Sequence, residues 1–210
     1  MTRLLAIAAL AVLMPAAAHA QNGRFAVTGF GEVGATVFTA AESFAAILGS
    51  RTGPVFGGGI EVVLPQRVFV GMRASHFRKT GERVFISNGE RFGLGIPTTV
   101  TLTPLQITGG YRFRPVIGLT PYAGAGPGWY RYTETSELAV GDEDVNERFS
   151  GFHILGGAEV EVARRLSLGG ELQWATVPDA IGKDANSVAR EFRESDLGGT
   201  TVRLKVVIGM

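Results

Sequence analysis

The chain has 210 residues, with 20 Lys plus Arg against 19 Asp plus Glu and a formal net charge of +1. That balance lacks the basic excess on which nucleic-acid binders depend. No cysteine is present, which rules out a disulfide framework, a thiolate metal site and an acylated lipoprotein cysteine. The 30 glycines do not suit a helical protein but do suit close-packed or bent strands.

The first twenty residues, MTRLLAIAALAVLMPAAAHA, place one cation at Arg3 before an apolar run from Leu4 to Met14, a proline break and Ala18-His19-Ala20. This is the layout of a cleaved export signal with an A-x-A site, cut before Gln21. The apolar run is too short for the ~20 residues of a spanning helix. The domain is therefore residues 21–210. Removing Arg3 takes the basic count from 20 to 19, equal to the 19 acids.

From Phe25 onward, period-two alternation returns segment after segment, as strands with one apolar and one polar face require. In 25–38, Phe25, Val27, Val33, Ala35 and Val37 oppose Thr28, Glu32 and Thr36. In 55–65, Phe56, Ile60, Val62 and Leu64 oppose Glu61, and in 68–77, Val68, Val70, Met72 and Ala74 oppose Arg73 and Ser75. In 104–114, Leu105, Ile107, Tyr111 and Phe113 oppose Gln106, Thr108 and Arg112. The segment 121–132 is rich in Gly and Ala, and its alternation does not fix which face is which. In 151–163, Phe152, Ile154, Ala158, Val160 and Val162 oppose His153, Glu159 and Glu161. In 166–176, Leu166, Leu168, Leu172 and Trp174 oppose Ser167, Glu171 and Gln173. The final strand sets Val202, Leu204, Val206, Ile208 and Met210 against Thr201, Arg203 and Lys205.

Short connections near 64–67, 114–120 and 163–167 alternate with long polar ones over roughly 39–53, 79–97, 133–148 and 178–199. Eight antiparallel strands with long loops at one end and tight turns at the other is the layout of an up-and-down barrel in the outer membrane. There the apolar face meets lipid and the interior is polar. Nine residues in matching phase are the candidate interior charge network: Glu32, Glu61, Arg73, Arg112, Glu159, Glu161, Glu171, Arg203 and Lys205. An eight-stranded interior is narrow enough for side chains to fill it, so these charges are expected to pair. Phe25, Tyr111, Phe113, Trp129, Tyr130, Tyr132 and Trp174 fall near predicted strand ends, as interfacial aromatics do.

The segments 119–132 (LTPYAGAGPGWYRY) and 156–179 (GGAEVEVARRLSLGGELQWATVPD), with the alternating C-terminal strand, resemble the small eight-stranded outer-membrane barrels. That family includes OmpA-type transmembrane domains, OmpW and OmpX. The resemblance covers nearly all of residues 21–210. It implies an all-β transmembrane barrel in the cell envelope of a Gram-negative bacterium, with short periplasmic turns and extracellular loops. It also implies a monomer, no cofactor, lipid and lipopolysaccharide as surroundings, and the barrel-assembly machinery as partner. Family members usually end in Phe or Trp as an assembly signal, whereas this chain ends in Met210.

Chemistry is sparse. Ser75 and His76 are adjacent on a strand and point to opposite faces, so they make no catalytic pair. His153 shares the inward phase and reads as a satisfied structural histidine. No G-x-S-x-G, H-E-x-x-H or P-loop occurs, and the two histidines of residues 21–210, without cysteine, make a poor transition-metal site. The acidic run 141–147 (GDEDVNE) reads as a solvated loop rather than a calcium site. In loop 39–53 the run Phe44–Leu48 is helix-compatible, and its alternatives are to plug or lid the barrel mouth or to dip into the membrane interface. Lys79, Arg83 and Arg91 in the next loop read as loose solvated charges, with contact to lipopolysaccharide phosphates as the alternative. The reading is a non-enzymatic barrel with a filled polar interior and a structural or surface role. Its rivals are a narrow porin-like channel of the OmpW kind, a lipid A acyl-modifying barrel and a soluble lipocalin-like barrel.

Overall fold

The computed structural model describes residues 25–87, 90–136, 145–183 and 187–209. The export signal, Met210 and most of the acidic run 141–147 lie outside the described residues. Eight strands form a closed barrel in sequence order: β1 (Ala26–Phe38), β2 (Thr52–Val63), β3 (Val68–Ser87), β4 (Glu90–Arg112), β5 (Leu119–Ser136), β6 (Val145–Ala163), β7 (Leu166–Thr176) and β8 (Gly199–Ile208). Every neighbouring pair is antiparallel, and closure is made by β1 against β8, with Glu32 opposite Lys205 and Gly34 opposite Arg203. Closure removes the unpaired sheet edges that an open sheet would leave. Helix α1 (Ala41–Leu48) and the short α2 (Val188–Glu191) lie in the connections at the loop end.

The outward rows are apolar and bare. Val33, Val202, Leu204 and Leu172 are each more than half exposed, and Val70, Ile60, Ile107, Ile154 and Leu168 continue the same belt. A belt of this extent is far larger than the apolar patches that water-soluble monomers carry. In β5, Ala123, Pro127 and Trp129 face out while Tyr122, Gly126, Gly128 and Tyr130 face in, which sets the orientation the sequence left open. Phe25, Tyr111 and Phe113 ring the turn end of the belt, and Trp129 and Trp174 mark its loop end, all exposed. Tyr130 is buried and Tyr132 half-buried among inward-facing residues, so these two do not belong to the aromatic girdle.

The loop expected over 79–97 is strand at 79–87 and 90–97, and the one expected over 133–148 is strand at 133–136 and 145–148 among the described residues. Pairing of β3 with β4 runs from Val68 opposite Tyr111 out to Ser87 opposite Glu90, with one register shift between Glu82 and Val84. Pairing of β5 with β6 reaches Glu134 opposite Val145. Polar composition does not end a strand when the backbone pairs and Thr, Val and Phe alternate along it. The outward row of β3 changes from Val68, Val70, Met72 and Ala74 to His76, Arg78 and Thr80, so the ribbon beyond His76 stands clear of the apolar belt.

At the turn end, Ile117 and Gly118 both have positive φ, 52° and 79°, between the bridged Val116 and Leu119. This is the geometry of a two-residue hairpin turn that matches strand twist.

Candidate functional site

The lumen holds two layers of different chemistry. Nearer the turn end is a charged layer to which seven strands contribute ionic groups and β5 contributes Tyr122. Arg73 is its hub. Its Nη1 lies 2.7 Å from Glu171 Oε1, its Nη2 donates to Glu171 Oε2 at 2.8 Å, and its Nε lies 3.2 Å from Glu32 Oε2. Arg203 Nε approaches the other oxygen of Glu32 at 3.2 Å, and its Nη1 donates to Gln173 Oε1 at 3.0 Å. Ser75 donates to Glu32 at 3.2 Å.

One step closer to the turns, Arg112 binds two acids. Its Nε and Nη2 donate to Glu61 Oε1 at 2.8 and 2.5 Å, and its Nη1 donates to Glu159 Oε2 at 2.7 Å. Lys205 Nζ reaches Glu159 Oε1 at 3.3 Å and Glu171 Oε2 at 3.6 Å, while lying over the rings of Phe30 and Tyr122. Tyr122 ties the two tiers together by donating to Glu171 Oε2 at 3.0 Å. The four bases, Arg73, Arg112, Arg203 and Lys205, face the four acids, Glu32, Glu61, Glu159 and Glu171, so the layer is neutral. All eight are buried. Pairing of this completeness is what a narrow interior requires, because a lone buried ion costs several kcal/mol. The void among these side chains is about 10 Å³, room for roughly one water.

Glu161 stands apart from this network. It is exposed at the turn-end rim, where the register between β6 and β7 shifts between Glu161 and Ala163. Its inward phase is intact, but the strand has already left the lumen. Tyr122, Gln173, Ser75 and Gln106 join the polar interior beside the charges. The signal for Tyr122 lay in its own strand. Gly124, Gly126 and Gly128 share its phase, and such small residues leave room for an inward ring. Close packing is also visible at Gly126, where an added Cβ would collide with the Ile107 carbonyl oxygen.

Above the charges, toward the loops, the lumen is apolar, which corrects the expectation of a polar interior throughout. Phe38, Phe77, Val100, Leu102, Tyr130, Ala175, Val177 and Leu197 form one buried cluster that includes Phe44 and Leu48 of α1. Phe44 stacks on Phe38 with centroids 3.9 Å apart, and Phe38 meets Phe77 edge-on at 4.9 Å. Helix α1 is thus a plug seated on this cluster. An added Cβ on Gly81 of β3 would strike the Ile47 carbonyl, so only glycine lets the last turn of α1 sit this close. Ala40 gives α1 no side-chain cap. Instead Glu194, from the last long connection, accepts from the backbone N–H of Glu42 at 3.0 Å and of Ser43 at 2.8 Å, and from the Ser43 hydroxyl at 2.5 Å. A carboxylate at a helix N-terminus satisfies otherwise orphaned donors. Asp196 anchors the same connection through Thr176, Val177 N–H and Gly198 N–H.

Outside the plug is a vestibule of about 460 Å³ at the loop end, lined by Phe44, Ile47, Val84, Tyr132, Glu134 and Glu147 among others. Of the two histidines among the described residues, His153 is fully buried with Nε2 2.8 Å from Thr108 Oγ1, and His76 faces outward beside Phe56.

A closed antiparallel barrel with a bare apolar belt, aromatic girdles and a neutral ionic core points to one family. The chain matches the outer membrane protein beta-barrel domain over residues 4–201. The chain belongs to that family. Its location is the bacterial outer membrane, with the tight turns periplasmic and the loop end outside.

Solved outer-membrane barrels of similar fold include Ail of Yersinia pestis in complex with the heparin analogue sucrose octasulfate. That barrel is 10% identical, with 89% of this chain and 99% of that one covered and a TM-score of 0.55. Neisserial surface protein A is 14% identical over 89% and 97% of the two chains, with a TM-score of 0.50. A major outer membrane protein of Thermus thermophilus is 12% identical over 88% and 99%, with a TM-score of 0.50. At these identities the likeness is one of fold. No curated sequence matches the chain.

Proposed function

We propose that this outer-membrane barrel is a closed, non-enzymatic envelope protein with a structural and surface-contact role. The observation that carries the reading is the double seal of its lumen. A neutral ionic layer, with a void of about 10 Å³ beside Arg73, Glu171 and Lys205, lies beneath an apolar plug built on Phe44 and Phe38. Ions crossing such a lumen would have to displace paired buried charges and then pass a buried apolar cluster. The non-enzymatic part rests on the serine and histidine geometry. Ser75 donates to Glu32, and His153 contacts Thr108 rather than a nucleophile with an orienting acid. Its partners in this reading are outer-membrane lipid, lipopolysaccharide and the barrel-assembly machinery. It acts as a monomer in this reading, with β1–β8 closure leaving no strand edge on which a second copy could pair.

The test is conductance in a planar bilayer. The parent is expected to be silent. Arg203→Ala stays silent because the α1 plug remains, and a variant with 41–48 replaced by a Gly/Ser loop stays silent because the ionic layer remains. Only the combination gives discrete currents. Steady currents from the parent would transfer the function to transport of small solutes.

A further inference from the structure

The vestibule outside the plug has a composition that the sealed lumen does not explain. Phe44 and Ile47 of α1, Val84 of β3 and Val188 of α2 give it an apolar surface. Glu134 of β5 and Glu147 of β6 give it two carboxylates. Glu134 is paired with Val145 and Glu147 with Tyr132, so the two acids are diagonal neighbours on the inward face. Tyr132 adjoins both and donates its hydroxyl to Glu134 Oε2 at 2.9 Å, which fixes that carboxylate.

These acids differ from the inward acids below them. In the ionic layer Glu32, Glu61, Glu159 and Glu171 each lie against an arginine. Among the described residues neither Glu134 nor Glu147 is in an ion pair. Arg83 and Lys183 also line the vestibule, but neither base is ion-paired to these two acids, and the Lys183 ammonium lies over the ring of Phe149 at 5.2 Å. The stretches 88–89, 137–144 and 184–186 contain no Lys, Arg or His, so they hold no base to neutralise the pair. Two like charges side by side against apolar surface are each disfavoured until a cation joins them.

The cavity measures about 460 Å³, within the range of small-ligand sites, which are mostly apolar with a few placed polar groups. One molecule that satisfies both parts has an apolar body and an ammonium head. The body covers the plug side, and the ammonium presents three donors to the two carboxylates. We propose that the vestibule is a binding site for small amphipathic amines, with Glu134 and Glu147 holding the ammonium and Phe44, Ile47, Val84 and Val188 receiving the apolar body. This goes beyond the closed-envelope reading, because it assigns the loop end a ligand of its own.

The experiment uses the full barrel in lipid nanodiscs and three probes of one shape: phenylbutylamine, phenylbutanol and phenylbutanoate. Binding is read from amide chemical shifts of the barrel. The amine is expected to bind roughly tenfold or more tightly than the alcohol, as charge-assisted hydrogen bonds support, and the carboxylate most weakly. Glu134→Gln with Glu147→Gln abolishes the preference for the amine and leaves the alcohol bound as before. Glu147→Gln alone lowers it and serves in place of the double variant if that one does not fold, with heat-modifiable migration on gels as the check. Ile47→Ser weakens amine and alcohol alike. Glu191→Gln, the same charge change at an exposed position of α2 outside the cavity lining, keeps the full preference. Amide exchange along α1 slows with saturating amine, because the ligand covers Phe44 and Ile47. Equal binding of amine and alcohol by the parent, tighter binding of the carboxylate, an unchanged preference in the glutamine variants, or unchanged exchange along α1 overturns the proposal. A conducting parent that still prefers the amine overturns the closed-barrel reading alone, and a silent parent without the preference overturns this one alone.

Discussion

Among the described residues Glu61 receives its side-chain hydrogen bonds from Arg112 alone, and this makes one substitution decisive. Arg112→Met keeps much of the side-chain volume but removes two hydrogen bonds to Glu61, at 2.8 and 2.5 Å, and two to Glu159, at 2.7 and 3.4 Å. Glu159 retains Lys205 at 3.3 Å, whereas no other side chain in the described ion pairs compensates Glu61. Removing one partner of a buried pair costs about 3–5 kcal/mol, chiefly through the charge left behind. At about 1.36 kcal/mol per decade, that is roughly a hundredfold to several-thousandfold loss in the folding equilibrium. Glu61→Gln in the same chain removes the stranded charge and restores three acids against three bases, so the double variant is expected to recover at least about 2 kcal/mol of the loss. The assay is urea unfolding from lipid vesicles, followed by the fluorescence of Trp129 and Trp174 as they leave the lipid. The reasoning is refuted if Arg112→Met lies within about 1 kcal/mol of the parent, or if the two substitutions are simply additive.

Other outcomes follow from the same geometry. Ile117 is 98% exposed at φ 52°, a conformation costly for a β-branched residue, and Gly118 follows it. Ile117→Asn creates an Asn-Gly turn and is expected to raise stability by about 1 kcal/mol in the same unfolding assay; a loss would show that the turn is not of the type described. Phe44→Ala removes the ring stacked on Phe38 and costs about 3–5 kcal/mol locally. It should make the connection at Arg51 sensitive to trypsin while the barrel keeps its heat-modifiable migration, and unchanged cleavage would mean that α1 is not held by this ring. Glu194→Ala removes the remote cap of α1, worth about 1–2 kcal/mol. Amide exchange at Glu42 and Ser43 should then accelerate roughly tenfold or more, and no change would place the hold on α1 elsewhere.

Much of the site was legible because β geometry is binary. Once Glu32, Glu61, Arg73, Arg112, Glu159, Glu171, Arg203 and Lys205 share a phase opposite an apolar row, a closed barrel turns them all to one side. Glu161 obeys the same parity but stands beyond a register shift at the rim, and parity carries no information on height along the barrel axis. The long β3–β4 ribbon was hidden by its polar composition, although Asn88-Gly89 is a strong hairpin signal in the sequence.

Alternation, loop lengths and charge balance are local properties, and by themselves they determined the barrel, its strand number and the facing of every strand but β5. They could not determine which acid meets which base, because Arg73 joins β1 to β7 across the lumen and that pairing depends on closure and stagger. Nor could they divide the lumen into an ionic layer and an apolar plug. Phe38, Phe77, Val177 and Leu197 come from four separate stretches of chain and meet Phe44 only when the connections fold back into the mouth. Contacts between residues distant in sequence decide that division, and only the closed tertiary structure brings them within reach.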